Sequence, residues 1–132
     1  MRTPQALLIA LAALHALALC SAPAQAHHSY AEYDQDERFV FSGTITHIFW
    51  GNPHILFTVD DGDTAMRIEW ITVTGAIKTQ VEATRFHVGD QLVVTGSRRR
   101  NPDMHSMTVI KTLELPAQEW QWQSPSGRRR SP

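Results

Sequence analysis

The sequence predicts an all-β domain: a small five-stranded barrel of the OB type, with one short helix between the third and fourth strands. Three observations predict it. Between residues 39 and 115, runs rich in β-branched and aromatic residues alternate with Gly, Asn, Asp and Pro breaks. One stretch, between the third and fourth runs, carries apolar residues at helical spacing instead. The sole cysteine, Cys20, lies near the start, so the domain has no disulfide to staple it. Closing the sheet on itself removes most exposed edges and suits a small domain of that kind.

The elements follow in order. Residues 1–26 read as a secretory signal peptide: Arg2 for a charged start, the apolar run from Ala6 to Cys20, and Ala24-Gln25-Ala26 as a small-x-small cut. The apolar run is too short for a membrane anchor, which needs about 20 residues. A lipidated Cys20 fits poorly, because Leu19 stands where a small residue belongs. The expectation is an exported, periplasmic protein that does not span the membrane. Removing the signal leaves 106 residues, with 11 basic side chains against 13 acidic ones and a net charge of −2. That balance argues against a general affinity for nucleic acid.

Residues 27–38 form a polar, acidic arm, and residues 39–116 the barrel. The first strand is Phe39 to Trp50, broken by Gly51-Asn52-Pro53. The second sets Ile55, Phe57 and Val59 on one face and turns at Asp60-Asp61-Gly62-Asp63. The third alternates Met66, Ile68 and Trp70 against Arg67 and Glu69. Residues 74–86 predict a helix of two or three turns near 75–84, with Thr74 as N-cap. Val88 to Gly96 and Met104 to Leu115 give the last two strands, the latter with Met107, Val109, Leu113 and Leu115 on one side. Residues 117–132 are polar and rich in Pro, Ser and Arg, and read as a disordered tail.

The chemistry-bearing residues begin at the expected cut. A chain starting at His27 offers one cation its α-amine and its imidazole, and another imidazole completes a T-shaped set that favours copper(II). A cut after Ala24 puts the histidine third, where it binds copper(II) with the amine and two backbone amides. A polar terminus without a ligand is the alternative. His54, beside the Asn-Pro corner, is expected to face outward and supply a further ligand; a structural hydrogen bond to a loop carbonyl competes with that reading. The expected metal ligands are therefore His27, His28 and His54. His47 alternates with Phe41, Ile45 and Phe49 and is expected inside as a structural residue.

Met104, His105 and Met107 are soft ligands suited to copper(I). Met107 is expected in the core and Met104 in a turn, so the structural reading prevails. Asp60, Asp61 and Asp63 lack the spacing and the final glutamate of an EF-hand, and a hairpin turn explains them. No nucleophile motif or phosphate loop occurs, so no enzyme is expected.

The start "HHS" plus an aromatic, with G-x-I-T-x-I-x-W-x-N-P-H from Gly43 to His54, resembles a family of small secreted bacterial proteins of unknown function. The resemblance covers most of the chain beyond the signal and implies the domain, with no activity to carry over. The leading expectation is a periplasmic binding or carrier module for a transition metal, copper first, which could hand its metal to another periplasmic protein. The alternative is a metal-free barrel that binds an oligosaccharide, a peptide or an anionic envelope polymer through Trp50, Asn52, Trp70, Arg98, Arg99 and Arg100.

Overall fold

The computed structural model describes residues 30–125. Six strands form one sheet: β1 (Phe39–Phe49), β2 (Leu56–Asp60), β3 (Ala65–Glu69), β4 (Gln91–Arg98), β5 (Ser106–Leu115) and β6 (Trp120–Gln123). Their order is β3-β2-β1-β4-β5-β6, and β3 also pairs with β5. That last pairing is parallel and joins Arg67 to Ser106 and Ile68 to Met107. It closes β1 to β5 into a barrel, with one short α-helix, α1 (Val73–Lys78), and a 3-10 turn, Ala83–Arg85, between β3 and β4. This is the OB order expected from the sequence. Among the described residues, no helix is long and apolar enough to cross a membrane.

β1 makes the closure possible because it serves two partners. Phe39 to Thr44 pair with β4, and Thr44 to Phe49 pair with β2. The strand switches partner at Thr44, and a Cβ on the preceding Gly43 would lie 2.4 Å from the carbonyl oxygen of Asp60. Just beyond, the register with β2 shifts between Ile45 and His47. Such a bulge turns the strand and re-aims its side chains. His47 is therefore exposed, not inside as its alternation predicts.

The alternation of β2 and β3 is kept. Phe57, Val59, Met66, Ile68, Trp70 and Val94 are all buried in one core. The turn between these strands is held by its own carboxylates: Asp60 Oδ1 accepts from the Gly62 amide at 2.7 Å, and Asp61 Oδ1 from those of Asp63 and Thr64 at 2.9 and 2.8 Å. The latter two bonds hold the Asp61 carboxyl below its ordinary pKa. The hairpin reading of these aspartates is thus the structural one.

Two further expectations are corrected. The helix begins earlier and ends sooner: Thr72, not Thr74, is the N-cap, its hydroxyl accepting from the Gly75 amide at 3.0 Å. It stops at Lys78, and Gln80 follows with φ of 59°. In β5, Val109 is not on the inner face. The register against β4 shifts between Thr95 and Ser97, Val109 takes φ of 48°, and Ile110 enters the core instead. Gly96 sits across from this bulge, where a Cβ would come within 2.9 Å of Ile110 Cδ1 and the Thr108 carbonyl oxygen.

The domain also continues past residue 116. A 3-10 turn, Pro116–Gln118, leads into β6, which pairs Trp120 with Leu115 and Trp122 with Leu113. Trp122 is buried and meets Trp70 edge-on at 5.1 Å between ring centroids. Half-buried Trp120 meets Phe86 edge-on at 5.5 Å, with the Arg85 guanidinium over its ring. Trp120→Ala should cost about 1–2 kcal/mol in urea denaturation, less than the roughly 1.5–3 kcal/mol of a fully buried apolar side chain. A loss near zero would mean that β6 adds nothing to the barrel.

Candidate metal centre

Two elements bring the best candidate side chain into place. β2 is preceded by the Gly51-Asn52-Pro53 corner, whose Asn52–Pro53 peptide bond is cis. The ladder between β2 and β3 runs beyond the strand ends, since the Ile55 amide donates to the Ile71 carbonyl and the Trp70 amide to that of Ile55. That extension ties His54 beside β3. His54 Nδ1 lies 3.0 Å from Glu69 Oε1, and the two side chains are only 26% and 14% exposed. So His54 stays on the face away from Ile55, Phe57 and Val59, where Glu69 lies against it in a half-buried setting.

A cleft of about 360 Å³ opens beside this pair, lined by His54, Trp70, Thr108, Val109, Lys111 and Tyr30, among others. Its floor includes Val109, a β-branched residue in the left-handed region. Such backbone costs of order 1–3 kcal/mol and tends to gather at binding sites.

The arm that carries Tyr30 is pinned to the barrel. The Tyr33 amide donates to the Tyr30 carbonyl, that of Asp34 to Arg98, and that of Arg100 to Glu32. Tyr33 forms an antiparallel bridge with Arg99, and its hydroxyl lies 3.3 Å from Ser106 Oγ. Glu32 pairs with the Arg99 guanidinium and raises its pKa. Arg98 lies over the Phe39 ring, with Glu37 at 4.0 Å.

These contacts locate the candidates among the described residues. His27 and His28 lie outside the described residues, as do the expected signal segment and the end of the tail. Trp50 is half-buried against Trp70 and Phe86, and Asn52 is exposed at the corner. Trp70 is a core residue. Arg98, Arg99 and Arg100 sit where β4 ends, beside the Phe39 end of β1, whereas Trp50 and Asn52 follow its other end. The polymer-binding set is therefore not gathered on one face, and Arg98 and Arg99 are engaged with the arm. Among the described residues, no three His, Cys, Asp or Glu side chains come together as a metal site.

Two residues of the cleft, Val109 and Tyr30, and the carboxylate against His54, Glu69, are not among the site residues expected from the sequence. Glu69 is findable, because the Asp60–Ala65 turn fixes the hairpin register and sets Glu69 opposite Leu56, two residues from His54. Val109 is hidden by the bulge. Tyr30 gives no sign of where the arm is anchored.

The chain thus forms a small closed β-barrel with an arm laid across one end and a histidine–carboxylate pair beside it. It belongs to DUF6152, a family of unknown function, whose model matches residues 14–108. No curated protein matches the chain. Among solved structures it is similar to a chain of the S. pombe Stn1–Ten1 complex, at 20% identity and a TM-score of 0.48. That match covers 63% of this chain and 62% of the other, so this chain spans about three fifths of that chain's length.

Proposed function

We propose that the protein is an exported binding or carrier module for a transition metal, copper first, and not an enzyme. His54 supplies one imidazole, and His27 with His28 supplies the rest of the ligand set. The observation that carries this reading is that Tyr30, on the pinned arm, lines the same cleft as His54. In the sequence Tyr30 follows His28 by two positions and His27 by three, which favours a shared ligand set with His54. Glu69 supports the reading, because an imidazole ligand commonly sets its other ring nitrogen on a carboxylate, which orients the ring and raises its basicity.

The mature protein is expected to bind about one equivalent of copper(II), measured by calorimetry and by the nitrogen couplings in its EPR spectrum. His54→Ala and His27→Ala should each weaken binding strongly. Glu69→Gln should weaken it by about 10–100-fold, the usual cost of losing such a support. Affinity should fall with pH through the histidine range, as protons compete for the ring nitrogens. One extra residue before His27 displaces the amine from its chelate ring. Unchanged affinity in that variant would overturn the terminal-amine ligand, and unchanged affinity in His54→Ala would overturn the cleft.

A further inference from the structure

We propose a separate soft-metal site at the mouth of the barrel, formed by Met66, Met104 and His105 and suited to copper(I). It uses none of the residues of the copper(II) reading and does not depend on it.

The closure of the barrel creates the juxtaposition. β3 and β5 run parallel, with Arg67 beside Ser106 and Ile68 beside Met107. One step back along this register sets Met66 beside His105, and the Arg67 amide donates to the His105 carbonyl at 3.0 Å. Met66 is buried at the rim of the barrel, and His105 is exposed just before β5 begins. Met104 joins them by a tight turn, in which its amide donates to the Asn101 carbonyl and its carbonyl accepts from the Ser106 amide at 2.8 Å. All three side chains line one cavity of about 480 Å³, together with Phe39 and Phe41.

The chemistry of this set is specific. Two thioethers and an imidazole are neutral and soft, a combination that selects copper(I) over hard divalent cations. Met66 is buried and held in place by the core, whereas Met104 is 47% exposed. An exposed methionine packs against little, but its flexible thioether can swing onto a metal. Two guanidinium groups also border the cavity, and each is matched by a carboxylate of the arm, Arg98 by Glu37 and Arg99 by Glu32. Met107, which the sequence groups with Met104 and His105, is fully buried and faces the core, so Met66 takes its place.

Silver(I), a redox-silent substitute for copper(I), is the probe. The full mature protein carries methyl-13C methionine and is titrated while its methyl resonances are followed by NMR. The Met66 and Met104 methyls should shift together and saturate at about one equivalent, with Met107 unmoved. Met104→Leu and His105→Asn, both at exposed positions, should each weaken silver(I) and anaerobic copper(I) binding at least about tenfold, the lower end for a lost supporting contact at a metal site. His54→Ala should leave these affinities unchanged, which separates this site from the copper(II) cleft. The proposal is overturned if the Met66 and Met104 methyls do not move, if Met107 moves as much as they do, or if both variants bind like the parent.

Discussion

Trp70→Ala should remove most of the domain's stability. Trp70 is 4% exposed and touches four other rings, with centroids 5.1 to 6.3 Å from those of Trp122, Phe86, Phe57 and Trp50. It joins the second hairpin, β6 and the segment before β4 in one cluster. Truncating a large buried aromatic costs about 3–5 kcal/mol, the lost transfer energy plus the cavity left behind. A domain of this kind has roughly 5–15 kcal/mol in all. Urea unfolding followed by tryptophan fluorescence and circular dichroism should show the midpoint fall steeply. A loss under about 1 kcal/mol would mean that the aromatic cluster does not hold the barrel together. Its indole Nε1 has no hydrogen-bond partner among the described residues. Trp70→Phe, which keeps most of the ring and drops that group, should therefore cost much less.

Gly43→Ala should be nearly as damaging, for the opposite reason. Here the danger is an added atom. The new Cβ would meet the Asp60 carbonyl oxygen at 2.4 Å and its carbon at 2.7 Å. Both belong to backbone already committed to the β1–β2 ladder, so no flexible side chain can move aside. Either β2 retreats and its pairing with β1 is lost, or β1 twists and disturbs its pairing with β4. Overpacking of this kind costs about 1–3 kcal/mol and more where backbone must shift. Thermal and urea denaturation should agree on a loss at the upper end of that range. Wild-type stability in the variant would show that β1 passes β2 with room to spare.

The barrel is legible in the sequence because its signals are local. Period-2 alternation marks Met66, Ile68 and Trp70, and the turn residues after Val59 fix where the chain reverses. What fails to show depends on contacts between distant residues. His47 and Val109 each lie at a bulge, and a bulge inverts which face a residue takes without changing its neighbours in the chain. β6 leaves a trace, since Trp120 and Trp122 alternate with Gln121 and Gln123. Four residues beside a polar, Arg-rich tail are too few to outweigh that composition. The candidate centre divides in the same way. The paired histidines at the expected cut and the Asn-Pro-His corner stand out by residue type. The seating of Tyr30 in the cleft with His54 goes with the arm's bonds to Arg98, Arg99 and Arg100, which no spacing foretells. That Met66 and His105 line one cavity follows only from the parallel closure of strands nearly 40 residues apart.

That closure is also the thinnest part of the molecule. Two residue pairs join β3 to β5, against five or six on most other ladders. The least costly local opening of the barrel would part it there, as partial unfolding proceeds through the least protected contacts first. Glu69 lies on one lip of this seam, three residues from Met66, and His105 on the other. An ion held across the lips by Met66 and His105 would act as a clasp, gained when the seam is shut and released when it parts. Occupancy and breathing are then one equilibrium, in which the metal favours the closed form by as much as the closed form favours the metal. A site built this way would need no moving lid to release an ion, because the weakest join in the barrel wall would serve as the latch.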